Sequence, residues 1–212
     1  VSHTPADEPE AADGFPVVLQ LGGRPCLVVG GGPVATRRAQ GLARAGAPVT
    51  VVAPRTGPAI DADPRLEVHH RPYRRGEVNG YHLVVTATGD PEVDSAVVED
   101  AVAAGIWVSS ADQATPGTVQ LPAVHREGPV TVAVSTGGAS PGMARWLRDR
   151  MVRALPPDLA VIVGLVEEAR RRLQEEGRET ETVDWATVLD EQLVPLVAAG
   201  RLDEARAAAA RL

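Results

Sequence analysis

The chain has 212 residues, a formal charge of −7, one cysteine and aromatic residues at 3%, so one medium domain with appendages is expected and its core must be built from Val, Leu and Ala. The acidic balance argues against general nucleic-acid binding, no apolar run approaches the ~20 residues of a membrane helix, and no basic-then-apolar leader is visible, so no membrane partner and a cytoplasmic location are expected. A single cysteine excludes an internal disulfide framework or CxxC knuckle, and since every strongly basic side chain is arginine, Schiff-base lysine chemistry and a P-loop are excluded too.

Residues 1–13 are acidic and proline-bearing and read as a disordered tail. Cys26-Leu27-Val28-Val29 is continuously apolar, as a parallel strand covered on both faces should be. It runs into Gly30-Gly31-Gly32. A helix is predicted from Thr36 to Ala45, ended by Gly46, then a second strand over Val49–Val52. Leu66–His69, Leu83–Ala87 and Ile106–Val108 read as further strands, with a helix over Val93–Ala104. Strands alternating with helices predict an α/β fold with a Rossmann-type parallel sheet over 14–112. Beyond it, Val130–Ser135 reads as a strand with one face buried. Ser140-Pro141 supplies an N-cap and N1 pair for the next helix. Helices are predicted over 141–155, 158–176, about 184–198 and 201–211. The expected parts are a small linker-like region at 113–143 and a C-terminal helical region at 144–212. Cys26, inside an apolar run, reads as a small buried side chain.

Gly30-Gly31-Gly32-Pro33-Val34-Ala35 is a GxGxxA pattern between a strand and a helix. Gly30 permits the tight turn, Gly32 lets backbone amides approach a pyrophosphate at the helix N-terminus, and Ala35 permits close helix–strand packing. The bland reading is a glycine-rich turn that binds nothing. The acid expected some 20 residues on, for the ribose 2′-hydroxyl, is missing, because the second strand runs into Ala53-Pro54-Arg55. Arg55 either faces a 2′-phosphate or is a solvated surface residue. Thr88, in Thr86-Ala87-Thr88-Gly89-Asp90, either bonds the nicotinamide side of a cofactor or belongs to a capped turn. Asp112 lies just past the fifth strand, on the carboxyl edge where ligands of such sheets gather. It is a candidate proton acceptor or a turn residue.

The segment Ser135-Thr136-Gly137 could cradle an anionic group or merely connect strand and helix. Arg145 and Arg148, one helical turn apart, could meet substrate carboxylates or form a solvated face. Arg170-Arg171-Arg172 reads as surface ion pairing. The five histidines show no metal-ligand spacing, so no protein-bound metal is expected.

Taken in order, Phe15–Leu21, Cys26–Ala35, Ala87–Asp90, Asp112 and Val132–Pro141 resemble the dehydrogenase/ferrochelatase domain of siroheme synthases and stand-alone precorrin-2 dehydrogenases. The likeness is clear over about residues 15–155. It implies a homodimer with Rossmann, dimerisation (113–143) and helical regions, NAD as hydride acceptor, and oxidation of precorrin-2, a tetrapyrrole, to sirohydrochlorin. It leaves open whether ferrous or cobaltous ion is also inserted, and whether the product enters siroheme or cobalamin. Pro33, Val34, Pro54, Arg55 and Thr88 match the family's cofactor contacts, and Asp112 its catalytic acid/base. Thr136 stands where some members carry a phosphorylatable serine, a departure that puts such regulation in doubt. No methyltransferase region like that of fused siroheme synthases is read in these residues, so a stand-alone enzyme is expected. The rival reading is a non-catalytic dinucleotide-sensing module.

Overall fold

A computed structural model describes residues 14–111 and 117–212. The expected tail at 1–13, Asp112 and the segment 113–116 lie outside the described residues. The chain divides into two compact units, Val1–Leu121 and Pro122–Leu212. The segment expected as a dimerisation region is therefore split between them.

In the first unit, β1 (Cys26–Val29), β2 (Val49–Ala53), β3 (Leu66–His70), β4 (Leu83–Thr86) and β5 (Trp107–Ser110) form one parallel sheet in the order β3-β2-β1-β4-β5. The Rossmann-type architecture predicted from the alternating pattern is what forms. Both faces of β1 and β4 are buried. Alternate residues feed two cores, as a period of two requires. Cys26, Val28, Val51, Leu83 and Val85 pack with Ala35, Ala39 and Leu42 of α1 (Pro33–Arg44) and with Ile60 of α2 (Pro58–Asp61). On the other face Leu27, Val29, Val52, Val84 and Val108 pack with Val97, Val98 and Ala101 of α3 (Pro91–Ala103).

The helix ends explain where the strands begin. Gly105 has φ +68°, its N–H donates to Val102 O, and the Ile106 N–H reaches Ala101 O at 2.8 Å, a Schellman closure. Ile106 is thereby held in the helix end and β5 starts at Trp107, later than the apolar run alone suggests. The β3–β4 crossover is an irregular strap tied to α3. Asp100 accepts from the Tyr73 hydroxyl and the Gly76 N–H, each at 2.7 Å, and pairs with Arg75 at 3.3 Å. Burial, then the Asp100 carboxylate, push the Tyr73 phenol above its ordinary range.

In the second unit, β6 (Ala123–Glu127) and β7 (Val130–Val134) form an antiparallel hairpin closed by Gly128-Pro129. Gly128 has φ +54°, as two-residue hairpin loops with glycine first require. α4 (Pro141–Val152) packs on this hairpin. α5 (Leu159–Glu175), α6 (Trp185–Val188), a π-helical turn (Leu189–Leu193), α7 (Val194–Ala198) and α8 (Leu202–Ala209) share a core of Ile162, Leu165, Ala169, Val188, Leu193, Val197, Ala205 and Ala208. The Arg172 guanidinium donates to Ala209 O at 2.7 Å, satisfying a carbonyl at the negative end of α8.

Cys26 is fully buried, and desolvation pushes its thiol up to about 11 against an opposing backbone hydrogen bond at Leu83. Unfolding restores the ordinary 9.0. The thiol therefore costs no stability below pH 9.0 and progressively destabilises the fold between 9.0 and about 11, because the unfolded chain loses its proton first. Urea titrations across that range should show the loss, and a Cys26→Ala chain should lack that part of it. An identical pH dependence in both chains would contradict this burial.

Candidate functional site

The connection from β3 to β4 carries the chain back across β1 and β2, so the direction of strand winding reverses between β1 and β4. Open α/β sheets bind ligands at the carboxyl ends flanking such a reversal. Three backbone bonds of 2.9 Å fix that edge: Gly30 N–H to Val52 O, Ala87 N–H to Val29 O, and Ala111 N–H to Thr86 O.

The glycine loop is wedged between its neighbours. Gly30 has φ +128°, and a Cβ there would lie 2.3 Å from Ala87 O. A Cβ on Gly31 would lie 2.0 Å from Arg55 O and 3.0 Å from Thr56 Cα. The Gly57 N–H also reaches Gly31 O at 3.2 Å. At Gly32 the situation is the opposite, because a Cβ would meet nothing within 4 Å. Gly32 is the N-cap of α1, Pro33 follows at N1, and no side chain caps the helix. Uncapped first-turn amides and the positive end of the helix dipole beside open space suit an anion. The residues present therefore fit the pyrophosphate of a dinucleotide.

Pro33, Val34, Pro54 and Arg55 are exposed around this loop. The Arg55 guanidinium makes no ion pair among the described residues. Next to it, the Thr56 hydroxyl donates to the Asp61 carboxylate, and His70 Nε2 lies 3.7 Å from the same oxygen.

At the end of β4, Thr88 serves the turn. Its hydroxyl donates to Asp94 Oδ1 at 2.8 Å and accepts from the Asp90 N–H at 3.0 Å. Asp94, buried in α3, also accepts from the Thr86 hydroxyl and from the Thr88 N–H. Asp90 caps the helix by accepting from the Glu92 N–H at 3.0 Å. Asp94 and Asp61 were not singled out in the sequence, since each acts through a partner five to eight residues away that no short motif marks.

In the second unit, Ser135, Thr136 and Gly137 form the turn between β7 and α4. Ser135 Oγ accepts from the Gly137 N–H at 3.2 Å, and Thr136 Oγ1 accepts from the Ser140 N–H at 3.1 Å. Ser140 Oγ caps α4 through the Met143 N–H at 3.2 Å. Arg145 is exposed on α4, Arg148 is paired to Asp149 at 2.6 Å, and Arg150 stands 5.8 Å over the Trp146 ring. The structure thus brings the glycine loop, Pro54, Arg55 and Thr88 to one edge of the first unit, and gathers Ser135–Gly137, Arg145 and Arg148 around one turn and helix of the second. Asp112 lies outside the described residues, one position after Ala111.

A cavity of about 560 Å³ opens elsewhere, lined among others by Pro25, Pro48, Leu66, Asn79 and Tyr81. These residues precede or begin the strands. The cavity therefore belongs to the amino edge of the sheet, opposite the loops that could hold a ligand. Among the described residues no group of three or more His, Cys, Asp or Glu could hold a metal ion, and no helix is long and apolar enough to cross a membrane.

Residues 17–123 match a family model described as "Putative NAD(P)-binding", and residues 127–154 match one described as "Sirohaem biosynthesis protein central". A siroheme synthase of Chromobacterium violaceum is 37% identical over 200 residues, covering 92% of this chain and 42% of that protein. A siroheme synthase of Thioalkalivibrio sulfidiphilus is 37% identical over 199 residues, covering 92% and 41%. The chain thus spans about two fifths of the length of these relatives. Among solved structures, SirC, a precorrin-2 dehydrogenase, superposes with a TM-score of 0.72 at 27% identity, covering 89% of this chain and 96% of that one.

The contrast between adjacent glycines can be measured. Gly31→Ala must displace backbone and should cost about 1–3 kcal/mol in chemical denaturation. Gly32→Ala should change stability by about 0.5 kcal/mol or less, yet weaken dinucleotide binding in calorimetry by crowding the helix N-terminus. Equal stability losses for the two variants would contradict the described packing.

Proposed function

We propose that this chain, which belongs to the siroheme-synthase family of NAD(P)-binding proteins, oxidises precorrin-2 to sirohydrochlorin with NAD as the hydride acceptor. The observation that carries the reading is the uncapped α1 N-terminus at the winding reversal, flanked by backbone wedged at Gly30 and Gly31. The likeness to a precorrin-2 dehydrogenase along 96% of that chain supports the substrate.

Gly30, Gly31 and Gly32, with Pro33 and Val34, would hold the pyrophosphate through first-turn amides. Pro54 and Arg55 would border the adenosine end. Thr88 would face the nicotinamide end through its backbone, since its hydroxyl is engaged by Asp94. Bound nicotinamide supplies a two-electron acceptor. Oxidation removes a hydride and a proton from precorrin-2, and Asp112 is the group proposed to take the proton. Its neighbour Ala111 is bonded to Thr86 at the carboxyl edge, which supports a role on this side of the sheet. The Ser135–Gly137 turn and Arg145 would meet the substrate's carboxylates. Arg148 would have to exchange Asp149 for them.

The cofactor is proposed to be NAD rather than NADP, and the assembly a homodimer. Met143, Trp146 and Met151 on α4 are each about half exposed, and an apolar face of that kind favours a partner surface. Insertion of ferrous or cobaltous ion into sirohydrochlorin would use the ion as substrate, with a carboxylate such as Asp112 accepting pyrrole protons.

The test is anaerobic turnover of precorrin-2 with NAD, followed as NADH. The unaltered chain should turn over, and Asp112→Asn should lose roughly 10²–10⁴-fold in rate while NAD affinity measured by calorimetry holds. Undiminished turnover in the variant would remove Asp112 from the chemistry. NAD binding without turnover in the unaltered chain would favour a dinucleotide-sensing module.

A further inference from the structure

Rossmann-type sites that prefer the unphosphorylated dinucleotide place a carboxylate at the end of the second strand. It accepts a hydrogen bond from the adenosine ribose and repels a 2′-phosphate. Here β2 ends without an acid, and Arg55 next to it would attract that phosphate. The fold nevertheless returns a carboxylate to this point. Thr56 lies directly against the glycine loop, its Cα 3.0 Å from where a Gly31 Cβ would stand. Its hydroxyl holds Asp61 Oδ1, so the last residue of α2 is drawn back toward the β2 terminus.

The support of this carboxylate is independent of any ligand. The Gly57 N–H anchors the start of α2 on Gly31 O at 3.2 Å, and the Gln40 amide donates from α1 to Ala59 O at 3.4 Å. Asp61 is not consumed by these contacts. Its side chain is 45% exposed, and the flanking His70, at 3.7 Å, is itself 57% exposed. Asp61 Oδ2 has no hydrogen bond among the described residues.

We propose that Asp61, oriented by Thr56, accepts a hydrogen bond from the adenosine ribose hydroxyls and sets the preference for NAD over NADP against the pull of Arg55. This rests on the dinucleotide reading above and names the residue that decides which dinucleotide is taken. Asp61 lies 31 positions after Gly30 and on a helix rather than a strand end, outside the usual spacing of the ribose acid.

The experiment is calorimetric titration of NAD and NADP into the full chain and its Asp61→Asn, Asp61→Ala, Thr56→Val and Asp61→Ala/Arg55→Gln variants, each checked for cooperative unfolding. The unaltered chain should favour NAD. Asp61→Asn and Asp61→Ala should each weaken NAD about 10-fold, the worth of one hydrogen bond to a charged group, and tighten NADP. Thr56→Val should move both affinities the same way by less. The double variant should lose the NADP gain. If Asp61→Ala fails to fold, Asp61→Asn, which keeps the shape, decides. An unchanged NAD:NADP ratio in the Asp61 variants, or an unaltered chain that favours NADP, overturns the proposal while leaving dinucleotide binding intact. An unaltered chain that binds neither dinucleotide overturns that binding, and the proposal with it.

Discussion

Backbone packed against backbone at the glycine loop is the constraint on which the site depends. Gly30 and Gly31 each stand where a single added carbon would come within 2.3 Å of a neighbouring carbonyl oxygen, one at the end of β4 and the other just past β2. No side chain can occupy those positions without moving a strand end. The loop therefore cannot drift, and the first turn of α1 is held open at the winding reversal with its amides uncapped. The 2.9 Å bonds from Gly30, Ala87 and Ala111 extend the same rigidity from β2 to β5.

Around this backbone the side chains divide their duties. Asp94 is buried and spends one carboxylate oxygen on Thr86 and Thr88, which fixes the β4–α3 turn. Asp61 is half exposed and holds one oxygen to Thr56 while leaving the other available. Two carboxylates close to one edge thus differ in role because they differ in burial. A buried group held by several hydrogen bonds adds rigidity, whereas a solvated one can exchange water for a ligand.

How much was legible in the sequence follows from whether the signal was local. β1 is wholly apolar, and β2 and β4 are apolar but for Thr50 and Thr86, because both sheet faces are largely covered, and the glycine run sits directly between strand and helix, so both could be read. β6 could not be read as readily, since Ala123-Val124-His125-Arg126-Glu127 mixes charge with apolar residues on a strand whose faces are only partly buried. Gly128-Pro129 was the available sign of its hairpin. The four residues of α2 are too few to show a helical period. Asp61 and Asp94 acquire meaning from contacts made only on folding. Arg145 and Arg148 were read as one pair, whereas Arg148 is paired to its neighbour Asp149 and Arg145 stands exposed.

The geometry of the carboxyl edge supports a dinucleotide lying across the glycine loop. The most direct test of that binding is a backbone amide shift titration of the isotope-labelled chain with NAD. Amides of Gly32, Val34, Ala35 and Ala87–Gly89 should move together in a saturable way. Shifts confined to Arg65, Leu66, Asn79 and Tyr81, around the amino-edge cavity, would contradict the account.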